Sequence, residues 1–274
     1  MNGYLQFYGL KEAPFTISPN PRFLYLSDKH REALNHLLYG IRERKGFVQL
    51  TGEVGAGKTT LCRALLEQLP NEQFSTALIL NPVLQPDQMM AAIATEYGLD
   101  VRNKDRFQTL QILNHFLLEE MAKGRDVVLI IDEAQNLTND LLEQVRLISN
   151  LETDDRKLLQ IVLMGQPELR DRLNEHSLRQ LRQRITIRYH LRPLKFGEVK
   201  DYIRHRLHIS GANGAPHFSL GALWRVFNYS KGIPRLINAV CDKCLLAGFV
   251  HQADGINFGL ASRAIRELEG EFAS

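Results

Sequence analysis

Phe47-Val48-Gln49-Leu50-Thr51-Gly52-Glu53-Val54-Gly55-Ala56-Gly57-Lys58-Thr59-Thr60 joins an apolar run to a glycine-rich turn, then to a lysine and two threonines. Gly52, Gly57, Lys58 and Thr59 stand at the spacing of the phosphate-loop (Walker A) pattern, and the context is the strand, turn and helix that the pattern needs. Glycines let the backbone curl so that its N–H groups converge on phosphate oxygens, and a helix opening at Lys58 adds the positive end of its dipole. In this reading Gly52, Glu53, Val54, Gly55, Ala56 and Gly57 form the cradle. Lys58 bridges the β- and γ-phosphates, and the Thr59 hydroxyl ligates Mg2+ with Thr60 beside it. A turn that merely links a strand to a helix has no need of Lys58 and Thr59. The implied ligand is ATP with Mg2+.

Outward from this stretch, short apolar runs alternate with helical patterns. Ala77 to Leu80, Val127 to Ile131 and Gln160 to Met164 read as further strands, with a last one over Thr186 to Leu191. Strands separated by helices imply parallel βαβ units, a P-loop α/β core with helices on both faces of a mainly parallel, five-stranded sheet. Val127 to Ile131 lacks polar alternation, as a strand buried on both faces does. Before the core, residues 1–27 read as turns and extended backbone, and the spacing of Ala33, Leu34, Leu37, Leu38 and Ile41 predicts a helix over Asp28 to Arg44. After Leu194 the strand signals stop. Phe196 to His208, Leu220 to Tyr229, Pro234 to Phe249 and Phe258 to Glu269 read as helices. The expected domains are an N-terminal arm with the first helix (1–45), the nucleotide-binding core (46–194) and a helical lid (195–274).

Asp132-Glu133 closes the run Val127 to Ile131 in a Walker B arrangement. An aspartate at a strand's carboxyl end beside a phosphate loop holds Mg2+ directly or through water. The adjacent glutamate orients and polarises an attacking water, which points to ATP hydrolysis rather than binding alone. Without the upstream loop the same pair would read as a helix cap.

The chain has 274 residues, 44% hydrophobic and 24% charged, with 34 Lys+Arg against 31 Asp+Glu. That length suits two domains, and a net charge of +3 argues against a histone-like binder or an acidic tail. Three cysteines are too few for a disulfide framework and fit a reducing compartment. The opening residues show no signal peptide, and no run approaches the roughly 20 apolar residues of a membrane span. The expected location is cytoplasmic, with the inner-membrane face open through a partner or a removed anchor.

The chain resembles AAA+ ATPases, and within them the ExeA/GspA family, the cytoplasmic ATPase part of a type II secretion assembly factor. The likeness rests on Tyr8-Gly9-Leu10, Ala13-Pro14-Phe15, Pro19-Asn20-Pro21, the stretch from Thr51 into the loop, and Asp132-Glu133-Ala134-Gln135. It continues in Gly165-Gln166-Pro167-Glu168-Leu169, Gln183-Arg184-Ile185 and Gly232-Ile233-Pro234-Arg235-Leu236-Ile237-Asn238. The resemblance implies that Gln166 is the sensor 1 residue reading the γ-phosphate; a glutamine capping the next helix is the other reading. Arg235 looks like sensor 2, reaching the phosphates of its own subunit; a surface arginine at a helix start is the alternative. One of Arg184 and Arg182 should be the arginine finger given to a neighbouring subunit, with Arg179 on a solvated face. A homo-oligomer and an envelope or secretion-machine partner follow from the same likeness. Longer family members continue into a membrane-spanning helix and a periplasmic peptidoglycan-binding region; these 274 residues include neither, so peptidoglycan binding is not carried over.

Between Glu168 and His208 there are 11 Lys+Arg against 5 Asp+Glu. Such a stretch suits a subunit interface, a solvated face or a duplex-DNA backbone. The last possibility carries the alternative function, a DNA-bound regulator of transposition that recruits a transposase. Cys241 and Cys244 have CxxC spacing without a second ligand pair, which reads as two small buried side chains on a helix rather than zinc. Phe15, Phe23, Tyr25 and Leu26 either close over the adenine or pack as an arm.

Overall fold

The computed structural model describes residues 3–18, 20–80, 82, 85–153 and 156–270; Pro19 of the quoted Pro-Asn-Pro motif lies outside them. The described chain forms two compact units, one of residues 29–52 and 61–191 and the other of residues 1–28, 53–60 and 192–274.

The first unit is built on strands β1 (Phe47–Gly52), β2 (Phe74–Ile79), β3 (Asp126–Ile131), β4 (Leu159–Gly165) and β5 (Ile185–Leu191). They form one sheet in the order β2-β3-β4-β1-β5 with parallel pairing throughout. Side chains alternate across a strand, and here both sets are covered. Phe47, Leu129, Ile131, Ile161 and Leu163 face one core with Met89, Ile93, Leu113, Leu117 and Leu142, from α4 (Pro86–Glu96), α5 (Arg106–Ala122) and α6 (Asn139–Ile148). On the opposite face α2 (Asp28–Arg42) comes so close that a Cβ on Gly40 would lie 2.4 Å from Val48 Cγ2. This double burial explains why Val127 to Ile131 carries no polar alternation. Helices α3 (Lys58–Glu67), α7 (Pro167–Leu173) and α8 (Arg179–Arg184) complete the core connections.

Local chemistry sets the helix starts. Thr138 caps α6 by accepting from the Leu141 N–H at 3.3 Å, and Asp105 with Gln108 forms a capping box on α5. Pro167 opens α7 where a missing N–H costs nothing.

The second unit gathers α1 (Gly3–Phe7), α9 (Phe196–Ile209), α10 (Leu220–Ser230), α11 (Pro234–Val250) and α12 (Phe258–Leu268) around Tyr8, Phe15, Val199, Tyr202, Val226, Ile237, Val240 and Ile265. Two features depart from the sequence reading. Residues 3–7 are a short helix rather than extended backbone, and a two-residue parallel pair, β6 (His217–Phe218) with β7 (Gly255–Ile256), lies beyond the point where strand signals stop. Two residues are too few to leave a periodic signature. The aromatic arm packs: Phe15 and Phe23 are buried. Arg206, counted within the basic stretch, is buried as well. Its Nε donates to the Pro14 carbonyl at 2.5 Å, Nη1 to Tyr202 Oη at 2.8 Å and Nη2 to the Thr16 carbonyl at 3.4 Å, with its guanidinium over the Phe23 ring. Asn238 accepts from Tyr202 and donates to the same Thr16 carbonyl. Among the described residues no helix is long and apolar enough to cross a membrane.

Candidate nucleotide site

β1 ends at Gly52, which pairs with Leu191 of β5, and the chain turns at once into the loop. Gly55 and Gly57 hold φ of +78° and +101°, in the region that side chains other than glycine's rarely enter, and α3 opens at Lys58. The strand, glycine turn and helix read from the sequence are therefore all present. Ala56 N–H donates to the Glu53 carbonyl at 3.1 Å, and so does Lys58 Nζ, also at 3.1 Å; Lys58 is buried, while Val54 is half exposed. Thr59 and Thr60 stand in the first turn of α3.

Gly55 has a second reason to be glycine. The N–H of Arg235, near the start of α11, donates to the Gly55 carbonyl at 3.2 Å, and a Cβ on Gly55 would lie 2.4 Å from Arg235 Cβ. The structure thus brings Arg235 onto the phosphate loop, 180 residues away in sequence, rather than leaving it on an unrelated surface.

β1, β3 and β4 are parallel, so Gly52, Asp132 and Gln166 leave the sheet at one edge, the carboxyl ends at which open α/β sheets bind ligands. Asp132 is buried, and its Oδ1 accepts from the Glu133 N–H at 2.9 Å. Glu133 takes a left-handed backbone, φ +53° and ψ +36°, costly for a residue with a side chain. Its Oε2 accepts from Gln135 Nε2 at 2.5 Å and from Gln166 Nε2 at 3.2 Å. Gln166 occupies the N-cap position of α7, yet its side chain does not cap the helix. The amide contacts the Glu133 carboxylate instead. Gln135 was legible only as part of the Asp-Glu-Ala-Gln motif; its side-chain reach has no signature in spacing.

Burial and then the Asp132 carboxylate push the Cys62 thiol up to about 12. Thr59 and Asp132 are hard oxygen donors of the kind Mg2+ takes, and Mg2+ commonly relies on one or two protein ligands plus phosphates rather than a full protein cage. Among the described residues no group of three or more His, Cys, Asp and Glu could hold a metal.

The two candidate finger arginines sit on α8 apart from this network. Arg184 Nη1 donates to Ser149 Oγ at 3.1 Å, and Arg182 Nη1 reaches the Asn174 carbonyl at 3.5 Å. Arg179 is exposed. Several other cations of the basic stretch are occupied internally: Arg172 on the Leu137 carbonyl, Arg188 on the Arg182 carbonyl at 2.5 Å, and Arg206 as described.

Residues 41–173 match the AAA domain family. Over 268 residues, 97% of this chain, the sequence is 49% identical to the general secretion pathway protein A of Aeromonas hydrophila, of which it spans 49%. Among solved structures, the Aeropyrum pernix ORC2 protein in its ADPNP-ADP complexes is similar with a TM-score of 0.68 at 17% identity, over 96% of this chain and 75% of that one. The Thermotoga maritima RuvB Holliday junction branch migration motor gives 0.60 at 21% identity, over 88% and 69%. These two likenesses speak for the fold. Sheet order, phosphate loop and the domain match agree on a P-loop AAA-type fold, and over nearly its whole length the sequence is similar to general secretion pathway protein A, about half of which it spans.

Proposed function

We propose that the chain binds ATP with Mg2+ and hydrolyses it as an oligomer, to drive assembly of a type II secretion or pilus-like envelope machine from the cytoplasmic side. The observation that carries the chemistry is the Glu133 carboxylate, fixed by two amides beside a buried aspartate at the carboxyl end of β3. The kinship with general secretion pathway protein A carries the pathway.

In this reading the loop from Gly52 to Gly57 wraps the phosphates and Lys58 exchanges the Glu53 carbonyl for phosphate oxygens. Thr59 and Asp132 would hold Mg2+, which would neutralise charge developing on the phosphates. Glu133 accepts a proton from the water whose oxygen attacks the γ-phosphorus, and the bond to the β-phosphate oxygen breaks as ADP leaves. Gln166 and Arg235 read the γ-phosphate, and Arg184 or Arg182 acts on the nucleotide of the next subunit. Domains at 1–45, 46–194 and 195–274 give these parts their setting.

Steady-state ATPase assays across protein concentration test the reading. Specific activity should rise with concentration, Lys58→Ala should lose nucleotide binding, and Glu133→Gln should retain it while turning over slowly. Mixing Arg184→Ala with Lys58→Ala protein should restore activity if the finger acts in trans. Turnover in Glu133→Gln at the parent rate would remove that residue from the chemistry. ATP-dependent binding of duplex DNA by Glu133→Gln, weakening steeply with salt, would transfer the pathway to transposition.

A further inference from the structure

Gln135 is half-buried and uses both ends of its amide on the candidate catalytic apparatus. Its Nε2 donates to Glu133 Oε2 at 2.5 Å, and its Oε1 accepts from the backbone N–H of Gln166 at 3.0 Å. These partners fix the amide's orientation, since the flipped form would set acceptor against carboxylate and donor against N–H. The backbone leaves room for this arrangement at one point. A Cβ on Gly165 would lie 2.7 Å from Gln135 Oε1 and 2.9 Å from Leu169 Cδ2, and no positive φ is recorded for Gly165. Gly165 is thus glycine for space, and the space is where the Gln135 carbonyl sits.

Glu133 needs such support. It stands outside the regular strand on a left-handed residue, where nothing in β3 dictates where its carboxylate points. Gln166 supplies one amide, at 3.2 Å; Gln135 supplies the shorter bond and is anchored to β4's end by the other. We propose that Gln135 is a positioning residue for ATP hydrolysis, tying the Glu133 carboxylate to the end of β4 so that Glu133 and Gln166 meet the γ-phosphate and its water as one rigid pair. The inference rests on the assignment of Glu133 as the water-activating group.

The test uses the full chain at concentrations where the parent turns over. Gln135→Glu keeps an acceptor for the Gln166 N–H but removes the donor to Glu133; Gln135→Met removes both. Each should lower kcat by about tenfold to a hundredfold, the scale of a misplaced reacting group, with ATP affinity unchanged in a fluorescent-nucleotide titration. Gly165→Ala should lower kcat likewise, and adding it to Gln135→Met should cost little more, because both remove one contact. Neither Gln135 variant should slow Glu133→Gln further. If Gln135→Met fails to fold, Gln135→Glu carries the test, since its backbone anchor is intact. Parent-like kcat in Gln135→Glu, a loss confined to ATP affinity, or a full additional loss in the Glu133→Gln background would each overturn the positioning role alone. A parent chain without turnover, or unimpaired Glu133→Gln, would instead overturn the assignment of Glu133 and this role with it.

Discussion

Gly55→Ala isolates the cradle from the rest of the nucleotide site. The alanine would have to hold φ near +78°, which costs an L-residue about 1–2 kcal/mol. Its Cβ would also overlap Arg235 Cβ at 2.4 Å, with Arg235 Cδ and Cγ at 3.1 and 3.3 Å. Arg235 Cβ is fixed by the backbone of α11, so no rotamer change relieves the contact, and the Arg235 N–H to Gly55 carbonyl bond, worth about 1 kcal/mol, is lost as the two part. The loop escapes both penalties by leaving the phosphate-binding shape and must return to it on binding. About 2–3 kcal/mol then falls on affinity, a weakening of roughly 30- to 150-fold. A fluorescent ATP analogue titrated against parent and variant reads this directly. Gly9→Ala is the matched control: it shares a positive φ, +65°, but its Cβ would meet nothing within 4 Å, so nucleotide affinity should not move. Affinity of Gly55→Ala within a factor of about three of the parent, less than 1 kcal/mol, would refute the idea that the loop and α11 must touch at this glycine.

Two further expectations concern the helical unit and the thiols. Arg206→Met leaves the Pro14 and Thr16 carbonyls without their cationic donor and should cost about 2–4 kcal/mol, seen as a lower urea midpoint at Trp224, the only tryptophan and a residue of the same unit; an unchanged midpoint would make the buried cation dispensable. Burial raises Cys62 and Cys244 to about 12 and Cys241 well above its usual value, so all three thiols stay protonated through neutral pH. A thiol reagent at pH 8 should label none of them in native protein and all three after denaturation; a fast-reacting thiol in the native chain would contradict their burial.

Much of the core was legible because its signals are local. Val127 to Ile131 is an uninterrupted apolar run, and the structure makes it an interior strand with neighbours on both sides. Gly52 to Thr59 combines backbone freedom, charge and hydroxyl within eight residues, and α3 opens where the lysine stands. What sequence left open depends on where side chains end rather than where they begin. Gln166 reads equally as a cap or a sensor from sequence; its amide lies on Glu133 and does not cap α7, a contact that no spacing announces. Arg206 counted as one more cation of a basic stretch, yet it is a buried strut whose acceptors lie about 190 residues earlier. Gln135 carried no periodic or charge signal at all, and its role rests on a gap left by Gly165.

The strut at Arg206 also sets a schedule for biosynthesis. The Pro14 carbonyl and its donor are 192 residues apart, and the Thr16 carbonyl waits for Asn238, 222 residues on. At about 5–20 residues per second, a ribosome needs roughly 10–40 s to supply the first of these partners. For most of that interval Tyr8, Phe15 and Phe23 wait for a core not yet made, while all five strands of the sheet are synthesised after them. The N-terminal arm is therefore synthesised well before its partners and is among the last segments to find its place, which makes it a segment on which a holding chaperone would act.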